Sequence, residues 1–82
     1  MSRPARAQPE TARQMLWRLL AEQFAVIRNN EARARRGSVE GLHDIRVALR
    51  RMRSLAVTFR KLEPHFLDRL DARAAKACDR MG

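Results

Sequence analysis

Apolar residues recur every three or four positions along most of the chain, which is the period of an amphipathic helix and not of a strand. In the first stretch Leu16, Leu20, Phe24 and Ile27 share one stripe, widened by Met15, Leu19 and Val26, with Trp17 beside it. The pattern predicts a helix from Glu10 or Thr11 to Arg36, followed by Gly37 at the left-handed cap position. Ser38 is a good N-cap for a second helix and Glu40 falls in its first turn. At 100° per residue Ile45, Ala48, Leu49, Met52, Leu55, Ala56, Phe59 and Leu62 form one contiguous arc, so this helix is predicted to reach about Leu62. Glu63-Pro64 marks the next break, because proline disfavours helical geometry in the residue before it and suits the first position of a new helix. A third helix is predicted from Pro64 to about Met81, with Phe66, Leu67, Leu70, Ala74, Ala77, Cys78 and Met81 facing inward.

Short connections between three helices imply an antiparallel up-down-up order. The expected fold is therefore all-α, three antiparallel helices forming a partial helical bundle. Residues 1–9 hold two prolines and no periodicity and read as a disordered basic arm, leaving 10–82 as the folded unit. A chain of 82 residues is at most one small domain, whose core is marginal unless it pairs with something. Cys78 is the one cysteine, which removes an internal disulfide and a cysteine metal cluster from consideration. No apolar run approaches about 18 residues, so no membrane span is expected, and no signal-type segment follows the basic start. A cytoplasmic protein without cofactor or metal is the expectation.

Charge changes the picture. Eighteen basic residues against nine acidic ones give a net charge of +9 and a pI near 11.7. Such an excess on a small domain points to a polyanionic partner, whether nucleic acid, polyphosphate or an anionic surface. Most of these bases are arginine, a residue that genome composition can inflate, so the arrangement matters more than the total. On the second helix the side opposite the apolar arc holds His43, Arg46, Arg50, Arg53 and Lys61, with Arg60 at its edge and Arg51 on the other flank. Its acids, Glu40 and Asp44, are confined to its start. Bases three and four apart repel one another unless a counter-charge intervenes, and a helix selected only for stability would interleave carboxylates. The row, if helical throughout, extends about 27 Å at 1.5 Å rise per residue. A linear polyanion laid along it would relieve the repulsion and release counterions. Arginine suits the task because its planar fork grips phosphate oxygens in pairs and stays charged.

A run of like charges is commonly a solvated face; here the single sign and strict register favour binding. The inference requires the row to face solvent, and arginines turned against carboxylates of neighbouring helices would remove it. Arg33, Arg35 and Arg36 admit two explanations, compensation of the helix dipole or polyanion contact. Catalysis is disfavoured: no nucleophile, carboxylate pair or glycine-rich phosphate loop has sensible spacing, and His65 reads as a surface residue.

The stretch Leu42-His43-Asp44-Ile45-Arg46-Val47-Ala48-Leu49-Arg50-Arg51-Met52-Arg53-Ser54 closely resembles the signature helix of the conserved-histidine α-helical, or CHAD, family, and Asn30-Glu31 fits that family's first helix. The resemblance covers residues 14–62 well and 64–81 in general character. It implies a helical bundle that binds inorganic polyphosphate on a basic surface, without catalysis, sometimes beside a CYTH-type triphosphatase and at polyphosphate granules. His43, Arg46, Arg50, Arg51 and Arg53 carry over by position; Arg60 and Lys61 come from the helical wheel alone. Domains of the family are longer and built of two related halves, so a homodimer or the missing second half is expected to complete this one. The alternatives are a protein that binds nucleic acid without regard to sequence, and an inert truncated fragment. Recognition helices usually mix in amide and hydroxyl side chains for base edges, and beyond Ser54 and Thr58 the exposed face has almost none.

Overall fold

The computed structural model describes residues 9–81 and is all-helical there: α1 (Ala12–Arg35), α2 (Val39–Thr58) and α3 (Pro64–Met81). The arm expected over residues 1–9 lies outside the described residues except for its last position.

Each start is set by local chemistry. Thr11 caps α1 by accepting from the Gln14 backbone N–H at 3.0 Å, while the Gln14 side chain accepts from the Thr11 N–H at 2.9 Å. This reciprocal capping box satisfies two donors that the first turn would otherwise orphan. Ser38 does the same for the Gly41 N–H at 3.0 Å. Pro64 opens α3, where it lacks only an N–H that would have had no partner. Gly37 has φ +88°, the left-handed conformation in which α1 is turned back toward α2.

One prediction fails by a turn. α2 stops at Thr58 rather than near Leu62; Phe59 caps it with φ −105° and ψ 15°, and residues 59–62 form a turn closed by Leu62 N–H donating to Phe59 C=O at 2.9 Å. Two β-branched residues, Val57 and Thr58, weaken the last helical turn. An antiparallel α3 starting at Pro64 also needs several residues to reverse direction, which the helix must give up.

End-to-end contacts fix the topology. Arg33 near the end of α1 meets Glu40 at the start of α2, and Arg13 at the start of α1 pairs with Glu63 beyond the end of α2. Arg53 meets Asp71 and Arg60 meets Asp68, so α3 runs antiparallel to α2. α2 is therefore the middle member, and no α-carbon of α1 comes within 8 Å of one on α3. The molecule is 29 Å across and 13 Å thick, a layer of three helices rather than a closed bundle. Leu16 and Leu20 of α1, Ile45, Leu49, Met52 and Ala56 of α2, and Leu67 and Ala74 of α3 make its core. Trp17 and Phe66 join α1 to α3 through an edge-to-face contact, ring centroids 5.3 Å apart. α1 and α2 approach most closely at Gly41, where an added Cβ would sit 3.1 Å from the Arg33 Cβ and 3.2 Å from the Ala34 backbone nitrogen.

Gln23 interrupts this apolar seam. It is 8% exposed and its Oε1 has no hydrogen-bond partner among the described residues. A buried acceptor left unpaired costs about 1–3 kcal/mol. Gln23→Met, nearly equal in shape, is expected to stabilise the fold by about 1 kcal/mol, raising the melting midpoint by roughly 4–8 °C for a domain this small. A midpoint unchanged or lowered in a thermal melt followed by circular dichroism would show that the amide is satisfied.

Candidate functional site

α2 presents its arginines where its periodicity places them, but the row is shorter and less open than expected. Its buried residues, among them Ile45, Leu49, Met52 and Ala56, form the floor of the layer. His43, Arg50, Arg51 and Arg53 are exposed and Arg46 is half-buried. Because α2 ends at Thr58, Arg60 and Lys61 lie in the following turn, where helical spacing no longer applies. The expected 27 Å row is corrected to the span from His43 to Arg53, about 15 Å at 1.5 Å per residue.

The row is also interrupted by α3. Arg53 Nε donates to Asp71 Oδ1 at 2.8 Å, and Arg60 Nε lies 3.1 Å from Asp68 Oδ1. Arg46 Nη2 donates to the Met81 carbonyl at the end of α3, where a cation is favourable to the helix dipole. The expectation of an unbroken row of guanidinium groups facing solvent is therefore wrong at Arg46, Arg53 and Arg60. Its physical reason is plain: the acids missing from α2 are supplied by the antiparallel neighbour. Asp71 hydrogen-bonds Arg53 and raises its pKa further above the ordinary arginine value, so Arg53 stays a cation at every accessible pH. Among the described residues no carboxylate lies within 4 Å of Arg50, Arg51 or Lys61.

Between α2 and α3 the result is a shallow groove of about 450 Å³ lined by Arg50, Arg53, Ser54, Val57, Thr58 and Asp71. Ser54 and Thr58 are one turn apart and follow Arg50 on the same face, so two hydroxyl groups flank two guanidinium groups. The Arg53–Asp71 pair is wet, with side chains 46% and 37% exposed. An ion pair in that setting is screened and weakly held. Asp71 thus occupies one arginine in the way an oxyanion would, without sealing it.

His43 lies apart from this groove. It shares a separate cleft with Arg33, Val39, Glu40 and Asp44. Arg33 is held there: its Nη1 donates to Asn30 Oδ1 at 2.8 Å and its Nη2 to Glu40 Oε1 at 3.3 Å, while Asn30 Nδ2 donates to the Val26 carbonyl at 2.8 Å. Of the three arginines at the end of α1, Arg33 therefore ties two helices together. Arg51 lies on the far flank of α2, and Lys61 lines a shallow site with Ala12, Phe59 and Leu62. The seven bases proposed from the sequence do not converge. Arg50 and Arg53 share the groove, and the others surround it at a distance. No group of three or more potential metal ligands occurs among the described residues, and no helix of those residues is long and apolar enough to cross a membrane.

Sequence reasoning missed two features. Asp68 and Asp71 carry no signal on α2 itself, and only chain reversal brings them there. A second basic row was legible: Arg69, Arg73, Lys76 and Arg80 stand at i, i+4, i+7 and i+11 on one flank of α3, opposite the flank that bears Asp68 and Asp71. Among the described residues none of the four has a carboxylate within 4 Å.

No curated protein and no solved structure matches the chain. The family model of the CHAD domain matches residues 18–82, which take in α1 from Arg18 onward and the whole of α2 and α3. With its signature helix at the centre of the layer and most of its length matched, the chain belongs to the CHAD domain family.

Proposed function

We propose that this chain binds inorganic polyphosphate through the α2–α3 groove and leaves it chemically unchanged. CHAD domains are known in general terms to bind polyphosphate and act as binding modules. The observation that carries the reading for this chain is the groove itself: Arg50 open, Arg53 held only by an exposed carboxylate, and the hydroxyls of Ser54 and Thr58 beside them. Phosphate oxygens would take Asp71's place on Arg53 and engage Arg50 as a paired acceptor. Arg46, His43, Arg60 and Lys61 extend the positive field to either side, so a long chain gains more than a short one through added contacts and counterion release. Arg51, on the other flank, contributes general attraction and no contact. A place at polyphosphate granules would follow from such binding.

The test is titration with long-chain polyphosphate at several salt concentrations, followed by competition against duplex DNA and single-stranded RNA. Binding should weaken steeply as salt rises, and polyphosphate should displace nucleic acid at equal phosphate concentration. Nucleic acid winning that competition would overturn the reading, since weak nucleic-acid binding is expected from net charge alone.

Asp71 supplies a sharper prediction. Asp71→Asn frees Arg53 and removes a repelling carboxylate, so polyphosphate should bind several-fold more tightly, with a salt slope steeper by up to about one. Equal or weaker binding, measured by the same titration, would mean that the ligand does not reach Arg53.

A further inference from the structure

Arg46, Arg53 and Arg60 stand seven residues apart, close to two helical turns, so they follow one edge of α2 and its continuation into the next turn. That edge faces α3. Arg46 Nη2 donates to the Met81 carbonyl, Arg53 Nε donates to Asp71 Oδ1 at 2.8 Å, and Arg60 Nε lies 3.1 Å from Asp68 Oδ1. These three contacts are spread along α3 from Asp68 to Met81, about 20 Å at 1.5 Å per residue. The rest of its hold is apolar, through Leu67 and Ala74, which are buried in the core.

The two kinds of hold respond differently to an anion. Apolar contacts are indifferent to it. The polar ones are not, because α3 offers each guanidinium what a phosphate offers, an oxygen acceptor. Singly these contacts are weak: the Arg60–Asp68 side chains are 64% and 54% exposed, and such pairs are screened by water. Three of them on one helix add. A phosphate gripped by the same guanidinium fork sets two anions side by side, and their repulsion drives the carboxylate off.

We propose that α3 is an intramolecular competitor for the basic edge of α2, and that polyphosphate releases its polar hold. As the chain takes Arg46, Arg53 and Arg60, α3 stays attached by its apolar side alone and opens more often. This rests on the polyphosphate binding proposed above and adds a coupled movement to it. Linkage makes the effect reciprocal: what the ligand takes from the seating of α3, α3 takes from the affinity of the ligand. Arg50, with no carboxylate within 4 Å among the described residues, is where a chain engages without this competition.

Amide hydrogen exchange, followed by mass spectrometry in each helix, tests it. Asp68→Asn with Asp71→Asn keeps the side-chain shapes and removes both charges, and circular dichroism checks that the helices remain. Without any ligand this variant should exchange residues 66–81 about three- to tenfold faster than the parent, with α1 and α2 little changed. Long-chain polyphosphate at saturation should speed α3 of the parent by a similar factor while α2 is slowed or unchanged. In the double variant polyphosphate should bind more tightly and alter α3 exchange by less than about twofold. Orthophosphate at the same phosphate concentration occupies one arginine at a time and should leave α3 of the parent as it was. Three results would overturn the proposal: a double variant no faster than the parent without ligand, α3 unchanged or slowed in the polyphosphate complex, or orthophosphate acting as strongly as the polymer, which would mean ionic screening. Polyphosphate failing to bind the parent would remove the groove reading as well, whereas binding with α3 exchange unchanged removes only this competition.

Discussion

A chain carrying Arg50→Ala and Arg53→Ala should lose one to two orders of magnitude in polyphosphate affinity at low salt while keeping its helical content. Both side chains are exposed, neither belongs to the core, and alanine is the better helix former. The logarithmic salt slope should flatten by about two, one for each phosphate contact removed. Arg51→Ala is the comparison that gives this result its meaning. It removes the same charge one residue away, but from the far flank of α2, and should change affinity less than threefold. Were Arg51→Ala as damaging as Arg50→Ala alone, affinity would be following net charge, and the groove would have no special standing. Fluorescence-detected titration at three salt concentrations decides between the two.

Leu67→Ala should have the largest effect on the fold. Leu67 is fully buried where α3 packs onto α2, and its removal leaves a cavity as well as losing transfer free energy. Substitutions of this kind cost about 3–5 kcal/mol, which is comparable with the whole stability of a small domain. The variant should therefore show no cooperative thermal transition, whereas Val57→Ala, at a side chain facing solvent, should melt within a few degrees of the parent. A cooperative transition in Leu67→Ala close to that of the parent would mean that α3 is not held by this core.

Much of the architecture follows from short-range signals. The 3.6-residue recurrence of Leu16, Leu20 and Ile27, of Ile45, Leu49 and Met52, and of Leu67 and Ala74 marks three helices and their inward faces. Thr11, Ser38, Gly37 and Pro64 set boundaries through interactions confined to a few neighbouring residues. The signature around His43 was likewise legible, because a family motif is a linear string. Phe24 marks where this legibility fails. It sits in the stripe of α1 as regularly as Leu20, yet one is half exposed and the other buried, since periodicity gives a direction and not what lies there.

The sequence by itself determined the helices, their order, their apolar sides and the net positive charge. Each is a property of residues within a turn or two of one another, or of simple addition. Tertiary structure alone decided which guanidinium groups are free. Asp71 lies eighteen residues from Arg53 along the chain and 2.8 Å from it in space, and only the antiparallel return of α3 makes them partners. The same return left α1 and α3 apart, opening a trough between them. Pairing and enclosure depend on how helices pack, and packing is fixed by the whole chain at once.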